Sequence, residues 1–229
     1  MPEYSTVIPV YNEKESLPVL WEELRRVFDD LARPYEVIFV DDASSDGSQD
    51  FLDDLARRHP GRVRVIHLAQ RSGQSSAMRT GLSRAEGKIV FTLDADLQND
   101  PADVPRMLEK MKEGYDVVCG WRKARSDKPL KTFLSKLGNV LQRLLTGLAV
   151  HDVSCTLRTY RKECLERITL SREGMHRFIP LSLSLQGFRV GEIVAHHRPR
   201  SFGATKYGHQ RIFRVVIDFF SVVLSRGKI

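Results

Sequence analysis

Short apolar runs alternate with amphipathic ones along the first half of the chain. Ser5 to Val10, Glu36 to Asp41, Val63 to Leu68, Ile89 to Leu93 and Asp116 to Gly120 are short, β-branched and mostly apolar on both faces. That pattern predicts strands of a parallel sheet covered on both sides. Between them, Leu17, Leu20, Leu24, Val27, Phe28 and Leu31 recur with the 3.6-residue helical period, and Phe51, Leu52 and Leu55 make a shorter stripe. Asp100 before Pro101 reads as an N-cap followed by a first-turn proline, and Met107, Leu108 and Met111 continue that helix. Strands and helices in this alternation predict an open, mostly parallel α/β sheet with flanking helices. Such sheets bind ligands at the carboxyl ends of their strands.

The second half is less regular. Leu130 to Leu148 predicts a helix with a wide apolar face, decorated by Lys131, Lys136 and Arg143. Arg211 to Ser225 predicts another, with Arg211, Arg214, Asp218, Ser221 and Ser225 on one polar stripe. Neither reaches the roughly 20 largely uncharged residues that a bilayer crossing needs. Amphipathic helices with basic edges suit an interfacial position on a membrane.

Charge sharpens this picture. Gly120 to Gly147 and Ala195 to Ile229 each hold seven basic residues and one acidic residue, so the chain's net +7 comes from its C-terminal half. A basic half expects an anionic partner: phosphate, a membrane surface or nucleic acid. The 229 residues, 41% of them apolar, suffice for one substantial core. Three cysteines at no metal-ligand spacing predict reduced thiols, and the N-terminus lacks the basic and apolar regions of a signal peptide. A cytoplasmic protein is expected.

Three predicted strands end in acids or hydrogen-bonding groups. The first runs into Pro9-Val10-Tyr11-Asn12-Glu13, the second into Asp41-Asp42-Ala43-Ser44 and the fourth into Asp94-Ala95-Asp96. Residues two apart at a strand end point to one side. Asp94 and Asp96 therefore aim together, and Gln98 follows if the chain stays extended. Converging carboxylates repel unless a cation lies between them. Their oxygens suit a hard divalent ion, Mg²⁺ or Mn²⁺, that completes its shell with substrate phosphates and water.

The segments PVYNE (9–13), VDDASSDGS (40–48) and LDADLQNDP (93–101), in this order after successive strands, closely resemble the family 2 glycosyltransferases. The resemblance extends through GWR (120–122), the Lys131 to Asn139 stretch, DVSCTLRTYRKE (152–163) and HRPRSFGATKYG (197–208) to the branch that glycosylates polyprenyl phosphates. Cys155-Thr156-Leu157 and Thr205 depart from that branch's usual residues, and lysines stand where arginine is frequent.

The resemblance implies the GT-A fold with C-terminal interfacial helices. It implies a nucleotide-sugar half over residues 1–121 and an acceptor half over 122–229, within one catalytic domain. Pro9, Tyr11, Glu13, Val40 and Asp42 would hold the nucleoside. Asp94, Ala95, Asp96 and Gln98 would lie at the diphosphate, with Asp94, Asp96 and Gln98 as metal ligands. Arg200 and Lys206, on a loop with Gly203 and Gly208, would close on the phosphates. Arg122, Lys131, Ser135 and Lys136 would hold the acceptor phosphate, and Asp152 would orient the acceptor or take a residual proton.

The expected reaction is an inverting transfer of a hexosyl group from GDP-mannose or a UDP-sugar to a dolichyl or undecaprenyl phosphate. The enzyme would be peripheral at the cytoplasmic face of the membrane, with a membrane-protein partner or a homodimer left open. A polysaccharide or other glycan acceptor is the alternative. The basic half alone would fit a nucleic-acid binder, but no helix-turn-helix, zinc or RNP-type motif accompanies it.

Overall fold

A computed structural model describes residues 1–123, 146–200, 202 and 211–225. The first half follows the predicted alternation: β1 (Tyr4–Val10), α1 (Leu17–Asp30), β2 (Tyr35–Asp41), α2 (Ser48–Arg58), β3 (Val63–His67), α3 (Gln74–Leu82), β4 (Ile89–Thr92), a 3-10 turn (Pro101–Asp103), α4 (Val104–Lys112) and β5 (Val117–Trp121). Then come β6 (Arg158–Arg161), α5 (Lys162–Leu165), a 3-10 turn (Met175–Phe178), α6 (Ile179–Leu185), β7 (Val190–Val194) and α7 (Arg211–Leu224).

The strands form a seven-stranded sheet in the order β3-β2-β1-β4-β6-β5-β7. All neighbours are parallel except around β6, which runs antiparallel to both β4 and β5. Strands from both sides of residue 121 thus share one sheet. The inserted β6 was not anticipated. Its four residues, Arg-Thr-Tyr-Arg, lack the apolar run that marks a buried strand.

Apolar side chains cover both faces of the sheet. On one, Leu17, Leu20, Leu24 and Phe28 of α1, Leu52 and Leu55 of α2, and Val104, Met107 and Met111 of α4 pack on Ile8, Phe39 and Phe91. The ring of Phe28 lies 5.2 Å from that of Tyr35 and 5.5 Å from that of Phe91. On the other face, Ala77 and Met78 of α3 and Ile179, Leu181 and Leu183 of α6 cover Val7, Ile38, Val40 and Val90. Asp100 caps the turn before α4 as expected, accepting from the Ala102 N–H at 3.0 Å.

The second half departs from expectation at two helices. Most of the predicted Leu130–Leu148 helix lies outside the described residues. Its end comes earlier than Leu148, because Gly147 adopts a φ of +71° and leaves the helical conformation. Helix α7 is present, but Asp218 of its predicted polar stripe does not face solvent. Asp218 is 2% exposed and pairs with Arg172 at 3.0 Å. Val222 is fully buried, and Phe219 reaches toward Phe178. Ile217, Phe220 and Leu224, spaced along one face, are 63%, 43% and 82% exposed. No helix among the described residues is long and apolar enough to cross a membrane.

Helix α3 escaped the sequence pattern because small residues do its packing. A Cβ at Gly81 would stand 2.3 Å from Val7 Cγ1 and 3.1 Å from Val40 Cγ2, so the helix lies directly on β1 and β2. Gly81→Ala should gain about 1 kcal/mol in helix propensity. It should lose about 1–3 kcal/mol to overpacking, because Val7 is itself fully buried and packed. A net loss with a lowered melting temperature, read by calorimetry, is the expected outcome.

Candidate active site

The carboxyl ends of β1, β2 and β4 lie side by side, and the antiparallel β6 adds its N-terminal end to the same edge. Two loops at this edge are stitched together. The Asn12 N–H donates to Ser44 Oγ at 2.9 Å, the Ser45 N–H to Asn12 Oδ1 at 2.8 Å, and the Glu13 N–H to Ser48 Oγ at 3.0 Å. Asn12 and Ala43 take φ of +52° and +58° to make these turns. Pro9, Tyr11 and Glu13 are half-buried along the resulting rim. The guanidinium of Arg71 lies over the Tyr11 ring, 4.2 Å from its centre.

The adjacent acids of β2 divide their work. Asp41 is fully buried and accepts from the Ser44 N–H and from Gln49 Nε2. Asp42 turns to the edge and accepts from the Ser72 N–H at 2.6 Å and the Gly73 N–H at 2.9 Å, fixing the approach to α3. Val40 could contribute to a nucleoside site only through its backbone. Its side chain is fully buried against α3.

Past β4 the chain does not stay extended. Ala95 and Asp96 form a turn, and Leu97 takes a φ of +62°. Strand alternation therefore cannot aim Gln98. Its N–H instead closes the turn on Asp96 Oδ1 at 3.2 Å, and its carbonyl accepts from the Arg198 N–H. Ala95 is 3% exposed and joins the core, so its side chain is not offered to a ligand.

Asp94 and Asp96 nevertheless converge. Asp94 Oδ1 accepts from Gln74 Nε2 at 2.7 Å and Oδ2 from Thr156 Oγ1 at 2.6 Å. Thr156 Oγ1 itself accepts from Asn99 Nδ2 at 3.1 Å. Asp96 is 7% exposed, and its Oδ2 accepts from Arg200 Nη2 at 2.5 Å. Burial, then the negative charge of Asp96, pushes Asp94 up to about 6, despite the Thr156 hydrogen bond and the positive charges of Arg122 and Arg158. Such a pair suits a cation. No group of three His, Cys, Asp or Glu side chains stands ready for a metal among the described residues. The donor set therefore fits a hard divalent ion that takes its remaining oxygens from a substrate, not a closed protein cage.

Opposite this acid pair, Arg122 grips Asp152 with two bonds, Nε to Oδ2 at 2.7 Å and Nη2 to Oδ1 at 3.0 Å. Burial works against the charge of Arg122, but the Asp152 carboxylate outweighs it and raises the arginine further above its ordinary value. The pair is flanked by Trp121 and His151, stacked with ring centres 4.2 Å apart. Lys131, Ser135, Lys136 and Lys206 lie outside the described residues.

The site thus gathers residues that motif reading passed over. Gln74 sits at the first turn of a helix without a strong apolar stripe. Thr156 stood in view as a departure from a motif. Arg71 and His151 carried no local signal, since their contacts are made across the fold.

A model of glycosyl transferase family 2 matches residues 5–169. The chain is 37% identical over 221 residues to the undecaprenyl-phosphate 4-deoxy-4-formamido-L-arabinose transferase of Yersinia enterocolitica, spanning 96% of this chain and 67% of that protein. Among solved structures, glucosyl-3-phosphoglycerate synthase from Mycobacterium tuberculosis, in complex with Mn²⁺, UDP and phosphoglyceric acid, aligns with a TM-score of 0.71 at 19% identity, covering 100% of this chain and 79% of that one. A mannosyltransferase from Pyrobaculum calidifontis, in complex with GDP-Man and Mn²⁺, aligns at 0.65 and 20% identity, covering 97% and 64%. At these identities the two structures speak to the fold, which is GT-A.

Thr156→Val removes one donor from an ionised, half-buried carboxylate. The variant should lose about 1–3 kcal/mol at pH 8. The missing hydrogen bond favoured the charged form, so Asp94 should rise above its present value of about 6. A raised folded-state acid opposes stability once the unfolded chain ionises, and that cost is full only above the folded value. The gap between variant and parent should therefore shrink toward pH 5. Denaturant titrations at both pH values read it.

Proposed function

Because the chain belongs to glycosyl transferase family 2, we propose that it transfers a sugar from a nucleotide donor to a polyprenyl phosphate, with a divalent cation bound by Asp94 and Asp96. The observation that carries this reading is the acid pair at the end of β4, with a half-buried, doubly bonded arginine near enough to act on Asp94. One side suits a cation and a diphosphate, the other a monophosphate. The relative's name supplies the acceptor class, undecaprenyl phosphate. That name also widens the donor question to a 4-deoxy-4-formamido pentose beside the hexoses.

The residues divide the work as follows. Tyr11 offers a base its ring face once Arg71 moves or stacks in turn. Asp42 and Glu13 accept from base or ribose donors at the rim. Asp94 and Asp96 would hold the cation, Mg²⁺ or Mn²⁺, which would supply charge neutralisation at the leaving diphosphate. Arg200, now on Asp96, stands within reach of the same phosphates. Arg122 receives the acceptor phosphate through charge-assisted bonds. Its partner Asp152 is then placed to orient that phosphate or take its last proton, whose pKa is about 6.

An acceptor phosphate oxygen attacks the anomeric carbon. The bond to the nucleoside diphosphate breaks on the opposite face, that group leaves with the electron pair, and the configuration inverts. A phosphate nucleophile is already ionised, so positioning and electrostatics provide most of the acceleration.

The outward face of α7 supports contact with the membrane that holds such an acceptor. Ile217, Phe220 and Leu224 project from a segment whose sequence is strongly basic. Those are the two attractions of an interfacial helix.

The test is a partition assay. The protein is incubated with Mn²⁺, a polyprenyl phosphate and labelled GDP-mannose, UDP-glucose, UDP-N-acetylglucosamine or a nucleotide-linked 4-deoxy-4-formamido-L-arabinose. Label should enter the organic phase with one donor and stay aqueous with Asp96→Ala. Phe220→Glu should work on detergent-dispersed acceptor and lose activity on acceptor embedded in anionic vesicles. Transfer to a water-soluble glycan alone would refute the lipid acceptor.

A further inference from the structure

Arg158 is the first residue of β6 and is 1% exposed. In the sheet it stands between Thr92 at the end of β4 and Cys119 near the end of β5. It is therefore buried between the strand that leads to Asp94 and the strand that leads to Arg122. None of its hydrogen-bond partners among the described residues is a carboxylate. Nη1 donates to the His176 carbonyl at 2.6 Å and faces the Tyr160 hydroxyl at 3.4 Å. Nη2 donates to the Val153 carbonyl at 2.7 Å and the Arg177 carbonyl at 3.2 Å, and Nε has no partner.

Burying a charge among neutral dipoles alone costs desolvation that their hydrogen bonds only partly offset. Stability alone does not account for an arginine here. Its geometry does. The carbonyls it gathers belong to two segments far apart in sequence. Val153 lies in the loop that carries Asp152 and Thr156. His176 and Arg177 lie in the 3-10 turn that reaches α3, where His176 Nδ1 meets Ser75 Oγ at 2.7 Å. Ser75 follows Gln74, which donates to Asp94. A flat fork of donors can hold several carbonyls at fixed angles, and a lysine ammonium cannot.

We propose that Arg158 is a positioning residue whose guanidinium fork clamps the 152–156 loop to the 175–178 turn, and so holds Asp152 and Thr156 in register with the acid pair. This rests on the transferase reading for its kinetic test and stands apart from it for its structural one.

The experiment compares Arg158→Lys, which keeps the charge without the fork, with Arg158→Met, which keeps neither. Amide exchange across residues 152–156 should quicken about tenfold or more in both variants, while β1 to β3 stay as protected as in the parent. Melting temperatures should fall in Arg158→Met, because the Val153, His176 and Arg177 carbonyls lose their donor. With an active donor and acceptor pair, kcat should fall by about 100-fold in both variants, as displacement of a reacting group by about 1 Å does. The donor KM should stay within about threefold, since the nucleoside rim does not touch the clamp.

Full turnover in Arg158→Lys would show that charge, not the fork, is what matters, and would overturn the proposal. Unchanged exchange across 152–156 would overturn it too. So would loss of protection throughout the sheet in both variants, which marks a merely structural role. If the parent proves inactive with every donor, the transferase reading fails, and the exchange comparison still decides whether the clamp exists.

Discussion

Two carboxylates forced together at a partly dry sheet edge are the constraint around which this molecule is arranged. Like charges held close in such surroundings repel, and the charge of Asp96 helps raise Asp94. The fold does not avoid that cost. It surrounds the pair with donors drawn from three distant segments: Gln74 from the start of α3, Thr156 from the loop before β6, and Arg200 from the chain after β7. Arg122 and Arg158 add positive charge nearby, and Asp94 still sits well above the ordinary carboxylate range. That repulsion is what a cation bound between the two carboxylates would relieve.

The antiparallel strand β6 is what makes such convergence geometrically available. A parallel sheet delivers only the carboxyl ends of its strands to the binding edge. A strand running the other way delivers its amino end there, together with the loop that precedes it. That loop carries Asp152 and Thr156. The same insertion places Arg158 at the centre of the edge, between the strands leading to the two halves of the site. The acid pair and the Arg122–Asp152 pair are thus joined through one short strand.

Much of this sheet edge could be read from local sequence. Apolar runs ending in Asp, Asn and Glu announced where β1, β2 and β4 meet the edge, and Asp100-Pro101 announced the turn into α4. Local reading failed where the cause was not local. Val40 and Ala95 follow the motifs in sequence, but their side chains are spent on the core. Gln98 was aimed by an alternation that ends when Leu97 turns the chain left-handed. The strand Arg-Thr-Tyr-Arg looks like surface until its neighbours cover it, and an arginine as deeply buried as Arg158 has no signature in composition. Helix α7 shows the same limit from the other side. Its amphipathic period was legible, but only Arg172 and the neighbouring turn reveal that Asp218 faces inward and the apolar residues outward.

The acid pair makes one demand that can be measured without knowing the sugar or the lipid. Calorimetric titration of UDP and of GDP, each with Mn²⁺ and with a chelator, compares the affinity of a diphosphate with and without the cation. The account predicts binding at least about tenfold tighter with Mn²⁺, a difference of about 1.4 kcal/mol, for whichever nucleotide the rim accepts. It predicts that the gain disappears in Asp94→Asn and Asp96→Asn. Equal affinity with and without the cation, or a gain that survives both substitutions, would contradict it.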